Sequence, residues 1–272
     1  MYDDSYKKME EREFVKHAFK LFLTFYKKKE IQCDSKKITS IPILPNLEIL
    51  HCQNNLLTSL PILPNLLMLN CDDNQLTSIP ILPNLLRLNC ENNQLTSIPH
   101  LPELSILHCG NNQITSIPIL SNLTALICSS NLLTSIPHLP KLTGLVCENN
   151  DLTSIPILPD LKHLYCNDNL LALLPELPST LKTLACDHNK IVSLPALPKS
   201  LTTLFCENNL LISLPVLPSG LKRLVCGNNF LTSVPILPEK LIRLYAYKDT
   251  LTQLPILQKN LKELCFKNIP IE

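Results

Sequence analysis

Apolar and polar positions return along most of this chain at a fixed phase. From about residue 31 onward they follow L-x-x-L-x-C-x-x-N-x-L-T-S-I-P-x-L-P. In the first full copy Leu47, Leu50, Cys52 and Leu57 fill the apolar slots, with His51 between Leu50 and Cys52. Alternation with period two marks a short strand that turns one face inward. Pro61 and Pro64, three apart, then fix φ and remove two backbone donors, and they push the residues before them out of the helical region. The pattern therefore predicts a strand, a turn and an extended, polyproline-like return with no room for a helix. So short a unit cannot bury its own apolar side, so successive copies must stack, with their strands side by side in a parallel sheet.

The cysteines set the register. Cys33, Cys52, Cys71, Cys90, Cys109, Cys128, Cys147 and Cys166 are 19 apart; Cys186, Cys206 and Cys226 follow at 20, and Ala246 and Phe266 take the next two slots, giving 13 frames. The added residue falls between proline and leucine, as Leu-Pro-Asn-Leu (44–47) becomes Leu-Pro-Ser-Thr-Leu (177–181). That places it in the outer connection, where loop length is cheap to vary. Asparagine stands three residues after ten of the cysteines, from Asn55 to Asn229, and its amide can bridge backbone groups of the turn, predicting a ladder. Of 23 prolines, 22 sit in the two repeat slots, so the proline content signals an ordered return and not disorder.

With these motifs in view, the unit resembles a leucine-rich repeat, in the short variety with a Leu-Pro-x-Leu-Pro return found in secreted bacterial effectors. Similar repeats occur in intracellular pathogens and giant viruses. The resemblance covers about 240 of 272 residues. It implies a leucine-rich repeat solenoid of the α/β horseshoe class: a concave parallel β-sheet of about 13 short strands, a polyproline-like convex side and an N-terminal capping helix. Residues 1–30 would form the helical cap and 31–272 the solenoid. Cysteine fills a strand slot where those effectors more often carry an aliphatic residue. Effectors that are ubiquitin ligases carry a further catalytic domain with a Cys-x-Asp nucleophile; none is expected here, and the expectation is an interaction protein, not an enzyme.

The cap is predicted from Val15, Ala18, Phe19, Phe22 and Tyr26 at helical spacing, with lysines opposite and Lys27, Lys28 and Lys29 at its end. Such a helix either covers the first repeat or also docks to a partner or an anionic surface. Neither a signal peptide nor a membrane span is readable, because Lys20 interrupts the apolar run. The twelve cysteines show no Cys-x-x-Cys pair and no phase shared with histidine, so no metal or other cofactor is expected. Neighbouring parallel strands give a poor disulfide torsion, so the cysteines read as small core residues in a reducing compartment, the cytoplasm or a host cytosol. Cys166-Asn167-Asp168 matches Cys-x-Asp, but Cys166 sits in the core column. Cys265 falls one slot early, at an outward strand position.

The outward column through His51 runs Gln32, His51, Asn70, Asn89, His108 and then turns apolar at Ile127, Val146, Tyr165, Ala185, Phe205, Val225 and Tyr245. At about 4.8 Å per strand the apolar part is on the order of 30 Å long, the kind of stripe that binds partners through aromatic anchors. Acidic residues, Glu207 among them, follow the cysteines; Lys162, Lys182, Arg223 and Arg243 precede or begin the strands. The predicted partner site is Ile127, Val146, Tyr165, Phe205, Val225 and Tyr245 with Arg223, Arg243 and Glu207, for an unnamed protein partner bound by a monomer. Net charge runs +3 over 1–40, −5 over 41–159 and +3 over 160–272, for +1 in all, and shows no nucleic-acid footprint. Two alternatives stay open: an adaptor or effector component of a ubiquitination pathway recruited through the N-terminal helix, and a structural or virion-associated repeat protein.

Overall fold

A computed structural model describes residues 29–247, 251 and 255–265. Among them lie thirteen three-residue strands: β1 Glu30–Gln32, β2 Ile49–His51, β3 Met68–Asn70, β4 Arg87–Asn89, β5 Ile106–His108, β6 Ala125–Ile127, β7 Gly144–Val146, β8 His163–Tyr165, β9 Thr183–Ala185, β10 Thr203–Phe205, β11 Arg223–Val225, β12 Arg243–Tyr245 and β13 Glu263–Cys265. They form one sheet in sequence order, every neighbouring pair parallel. No crossover interrupts that order, because each return delivers the chain one strand along. Residues 1–28 of the expected helical cap, 1–30, lie outside the described residues, and Glu30 already opens β1.

From β1 to β12 the middle strand residue turns inward: Leu50, Leu107, Leu126 and Leu145 are wholly buried, as are Cys52, Cys109, Cys128 and Cys147, while Leu264 of β13 is 43% exposed. The core also takes two slots from the return, which the four expected apolar positions did not include. Ile79, before the first proline, is 5% exposed, and Leu82, before the second, 1%. Proline holds the return in a polyproline-like conformation of about three residues per turn, so Ile79 and Leu82, three apart, share the inward face. Ile81, between the two, is 68% exposed as a result.

The turn after the strand is tied by asparagine. Asn131 Nδ2 donates to the carbonyls of Cys109, Cys128 and Ser129, and its Oδ1 accepts the Ile114 N–H of the preceding repeat at 2.9 Å. The same set recurs from Asn74 to Asn209, so the predicted ladder exists and binds each repeat to the one before. The residue ahead of each asparagine adopts positive φ, 52–55°, from Asn54 to Asn228. Eight of these ten are asparagine or aspartate, whose short polar side chains tolerate that region, and Ser130 and His188 take the other two.

The added residue in the later repeats lies where it was expected. The closing hydrogen bond runs from Leu161 N to Leu158 O in a 19-residue copy and from Leu181 N to Pro178 O in a 20-residue one. Packing beneath it loosens: Leu177 and Leu217 are 8% and 7% exposed and Leu197 is half-buried, although Leu237 returns to 2%.

Candidate functional site

Parallel pairing without slippage sets three columns on the outward side of the sheet. The first strand residues run Ile49, Met68, Arg87, Ile106 and on to Thr203, Arg223, Arg243 and Glu263. The third residues run from Gln32 to Tyr245 as expected, and Cys265 completes them beside Tyr245. Residues after the cysteines, among them Asp72, Glu91, Glu148, Asp187 and Glu207, make the third column.

Ile127, Val146, Tyr165, Phe205, Val225 and Tyr245 therefore stand on consecutive strands of one face, except that Ala185 interrupts between Tyr165 and Phe205. All six are half-buried, and Ala185 is only 1% exposed. Close strand spacing makes large neighbours cover one another, so the stripe presents ring faces and edges more than whole side chains. Its rim is already knitted together. Tyr245 Oη donates to Glu263 Oε2 at 2.8 Å, and Arg243 pairs with Glu263 Oε1 at 2.9 Å. Arg223 is exposed at the start of β11 and has no carboxylate partner among the described residues.

Glu207 belongs to a second network. Its Oε2 accepts the Tyr247 hydroxyl at 2.8 Å from two repeats on, and its Oε1 accepts Asn208 Nδ2 at 3.0 Å. Tyr247 crosses Gly227 to get there; a Cβ on Gly227 would stand 2.8 Å from Tyr247 O and 3.1 Å from its ring. The bond to Glu207 is the main cause that lifts the Tyr247 pKa to about 12, with burial adding to it. Upstream, Asp187 Oδ1 accepts the Glu207 N–H, Asn167 Oδ1 accepts the Asp187 N–H, and Asn167 Nδ2 donates to Glu148. Burial pushes the Asp187 carboxyl up to about 6, opposed by the Glu207 N–H and reinforced by the Glu207 charge.

The cysteine column offers no nucleophile. All twelve cysteines are reduced, ten are buried, and Cys33 and Cys265 are half-buried. Burial raises the Cys52 and Cys128 pKa to about 12 and that of Cys166 further, which holds the thiols neutral. Cys71, Cys166 and Cys186 instead point Sγ at the carbonyl of the next strand, at 3.4 Å, a weak donor contact that an aliphatic residue lacks. Asp168 of the Cys-x-Asp match is exposed at a positive-φ turn position. Among the described residues no group of three or more His, Cys, Asp or Glu side chains could hold a metal ion, and no helix is long and apolar enough to cross a membrane.

On the opposite face the return exposes an apolar ridge that the strand-centred reading passed over. Ile43, Ile62, Ile81, Ile119 and Ile157 are 62–68% exposed, and Val216, Ile236 and Ile256 are 86–92% exposed. His100 and His138 take the same slot and are exposed. The signal was present in the proline phase, since the residue between Pro-x-Leu-Pro landmarks must face away from Leu82 and its equivalents.

A one-sheet parallel solenoid with buried leucines, an asparagine ladder and a proline-rich return defines a leucine-rich repeat protein, and the chain belongs to that family. It is similar to the solved structure of YopM, a leucine-rich effector protein from Yersinia pestis, with 30% identity and a TM-score of 0.64 over 88% of this chain and 89% of that one. Against YopM from Yersinia enterocolitica WA-314 the identity is 32% and the TM-score 0.82, over 88% of this chain and 59% of the other. The functional domain of InlJ from Listeria monocytogenes, described as including a cysteine ladder, matches at 27% and 0.72, over 88% and 53%. The chain thus spans between half and two thirds of the length of these last two. No family model and no curated protein matched it.

Proposed function

We propose that the protein is a non-enzymatic interaction module that holds a protein partner on the concave sheet face of its C-terminal half. Tyr165, Phe205 and Tyr245 would be the anchors, Ile127, Val146 and Val225 the apolar ground between them, and Arg223, Arg243 and Glu207 the polar rim. The observation that carries this reading is the unbroken parallel register, which aligns these residues in one line at strand spacing. Aromatic residues set among aliphatic ones and edged by charges are what partner-binding centres use. Likeness to YopM, an effector, supports an interaction role in the same class, and the reduced cysteines support residence in a reducing compartment.

The test is capture of partners from a candidate host lysate by the full chain and by a Tyr165→Ser, Phe205→Ser, Tyr245→Ser variant, with circular dichroism to establish that the variant folds. A partner retained by the wild type and lost by a folded variant supports the assignment. Equal capture by both would remove it.

A further inference from the structure

Just ahead of the strands, main-chain hydrogen bonds hold one residue per repeat in a column. Glu48 N donates to Lys29 O, and in the later repeats Lys182 N donates to Lys162 O, Thr202 N to Lys182 O and Lys222 N to Thr202 O, all at 2.7–2.9 Å. The two halves of this column carry charge differently. At its start a cation faces an anion, with Lys29 Nζ 2.7 Å from Glu48 Oε1. In the same relation further along stand Lys162 and Lys182, both exposed. Neighbouring strands are about 4.8 Å apart, and like charges so placed repel. Lys222 follows two strands on with Arg223 beside it, both exposed. None of these four cations has an ion-pair partner among the described residues.

The carboxylates of this edge do not offset the repulsion. Glu263 is taken by Arg243 and Tyr245, while Asp160 and Glu239 on the connections are outnumbered by Lys199, Lys240 and Lys259. The acidic column across the sheet face is in the opposite state. Glu207 accepts from Tyr247 and Asn208, and Asp187 accepts the Glu207 N–H. Unmet charge in the C-terminal half is therefore positive and runs along one edge of the stripe, in a stretch whose net charge is +3 over residues 160–272.

We propose that the partner segment held on the aromatic stripe is acidic along one flank, and that its Asp and Glu carboxylates lie on Lys162, Lys182, Lys222 and Arg223. This rests on the stripe as the binding face and names the chemistry of what binds there. Lys162 precedes Tyr165 by three residues, so apolar side chains seated on Tyr165 and Phe205 bring the segment's flank to within roughly 10 Å of the lysine column, which their long stems span. Carboxylates at i and i+4 of a helix, about 5–6 Å apart, match the separation of Lys162 and Lys182. Arg223 takes a carboxylate through two parallel hydrogen bonds. A nucleic acid fits less well, because phosphate recurs at every nucleotide while Asp160, Glu239 and Glu263 interrupt this edge.

The experiment measures fluorescence anisotropy of a labelled helical peptide of leucine, phenylalanine and glutamate, its glutamates at i, i+4 along one flank, titrated with the full chain. Beside it run the same peptide with glutamine for glutamate, the same with lysine, and oligothymidylate. The expected result is saturable binding of the glutamate peptide, about tenfold tighter than the glutamine peptide at low salt, with the difference lost at high salt. Lys162→Glu with Lys222→Glu should weaken the glutamate peptide about tenfold and leave the glutamine peptide unchanged, whereas Arg87→Glu in the N-terminal half changes neither. Circular dichroism establishes that each variant folds. Equal affinity for the glutamate and glutamine peptides, tighter binding of the lysine peptide or of oligothymidylate, or no saturable binding of the glutamate peptide would each overturn the proposal. The Tyr165→Ser, Phe205→Ser, Tyr245→Ser variant separates the two readings. If wild type binds both peptides equally and this variant binds neither, the stripe stands without an acidic partner; a glutamate preference undiminished in this variant removes the stripe instead.

Discussion

Asn131 shows what a single residue does for this fold. Its amide supplies three backbone carbonyls with a donor and one N–H with an acceptor, in a turn largely withdrawn from water. Asn131→Ala should destabilise the protein by about 3 kcal/mol in urea unfolding, because it strands several buried groups at once. Asp187 runs the other way. Its raised carboxyl pKa means the protonated form suits the fold, so its contribution is full below the ordinary 3.8 and is lost as pH rises through about 6. Asp187→Asn keeps an oxygen for the Glu207 N–H and should raise stability at pH 7 by about 1 kcal/mol, while flattening the fall between pH 4 and 6. Thermal melts across that range check both statements. For the cysteines, a thiol reagent should label Cys33 and Cys265 in the native protein and the other ten after unfolding. Asparagine and cysteine were legible in the sequence because one residue type recurs at one phase. The positive-φ position before asparagine was not, because Asn, Asp, Ser and His share it and the common property is a backbone angle.

A repeat, as an element, is a three-residue strand, a clamped turn and a proline-held return. Strand and return were legible from the period-two leucines and the paired prolines, and the place of the extra residue from the changed spacing. What escaped was how much the return contributes, since Ile79 and Leu82 are as much core as Leu88 while Ile81 is solvent-facing. A polyproline-like return brings every third residue to the same face, and that period is hidden when all the neighbours are apolar. Contacts reaching across two repeats were also beyond spacing arguments. Tyr247 over Gly227 is one: Gly227→Ala should cost about 2 kcal/mol by overpacking and release the tyrosine from Glu207. In a double-mutant cycle with Tyr247→Ala the two losses should fall short of additive, measured by denaturant unfolding.

At the scale of the whole molecule, the stack has two apolar surfaces and an uneven charge. The outward column through His51 turns from polar to aromatic and aliphatic from β6 onward, and the return face carries exposed isoleucine and valine side chains interrupted at His100, His138, Glu176 and Ala196. The sheet-face columns could be written from the sequence, because register follows directly from the repeat. How deeply each residue sits could not, since Ala185 is covered by the size of its neighbours and Tyr245 and Arg243 are held by Glu263. Exposure alone favours the ridge, whereas the aromatic anchors and charged rim favour the sheet face. The measurement that decides between them compares partner capture by two folded variants of the full chain, Tyr165→Ser/Phe205→Ser/Tyr245→Ser on the sheet face and Val216→Ser/Ile236→Ser/Ile256→Ser on the ridge. Loss of the partner in the first with retention in the second is the predicted result; retention in the first with loss in the second would contradict the concave-face account.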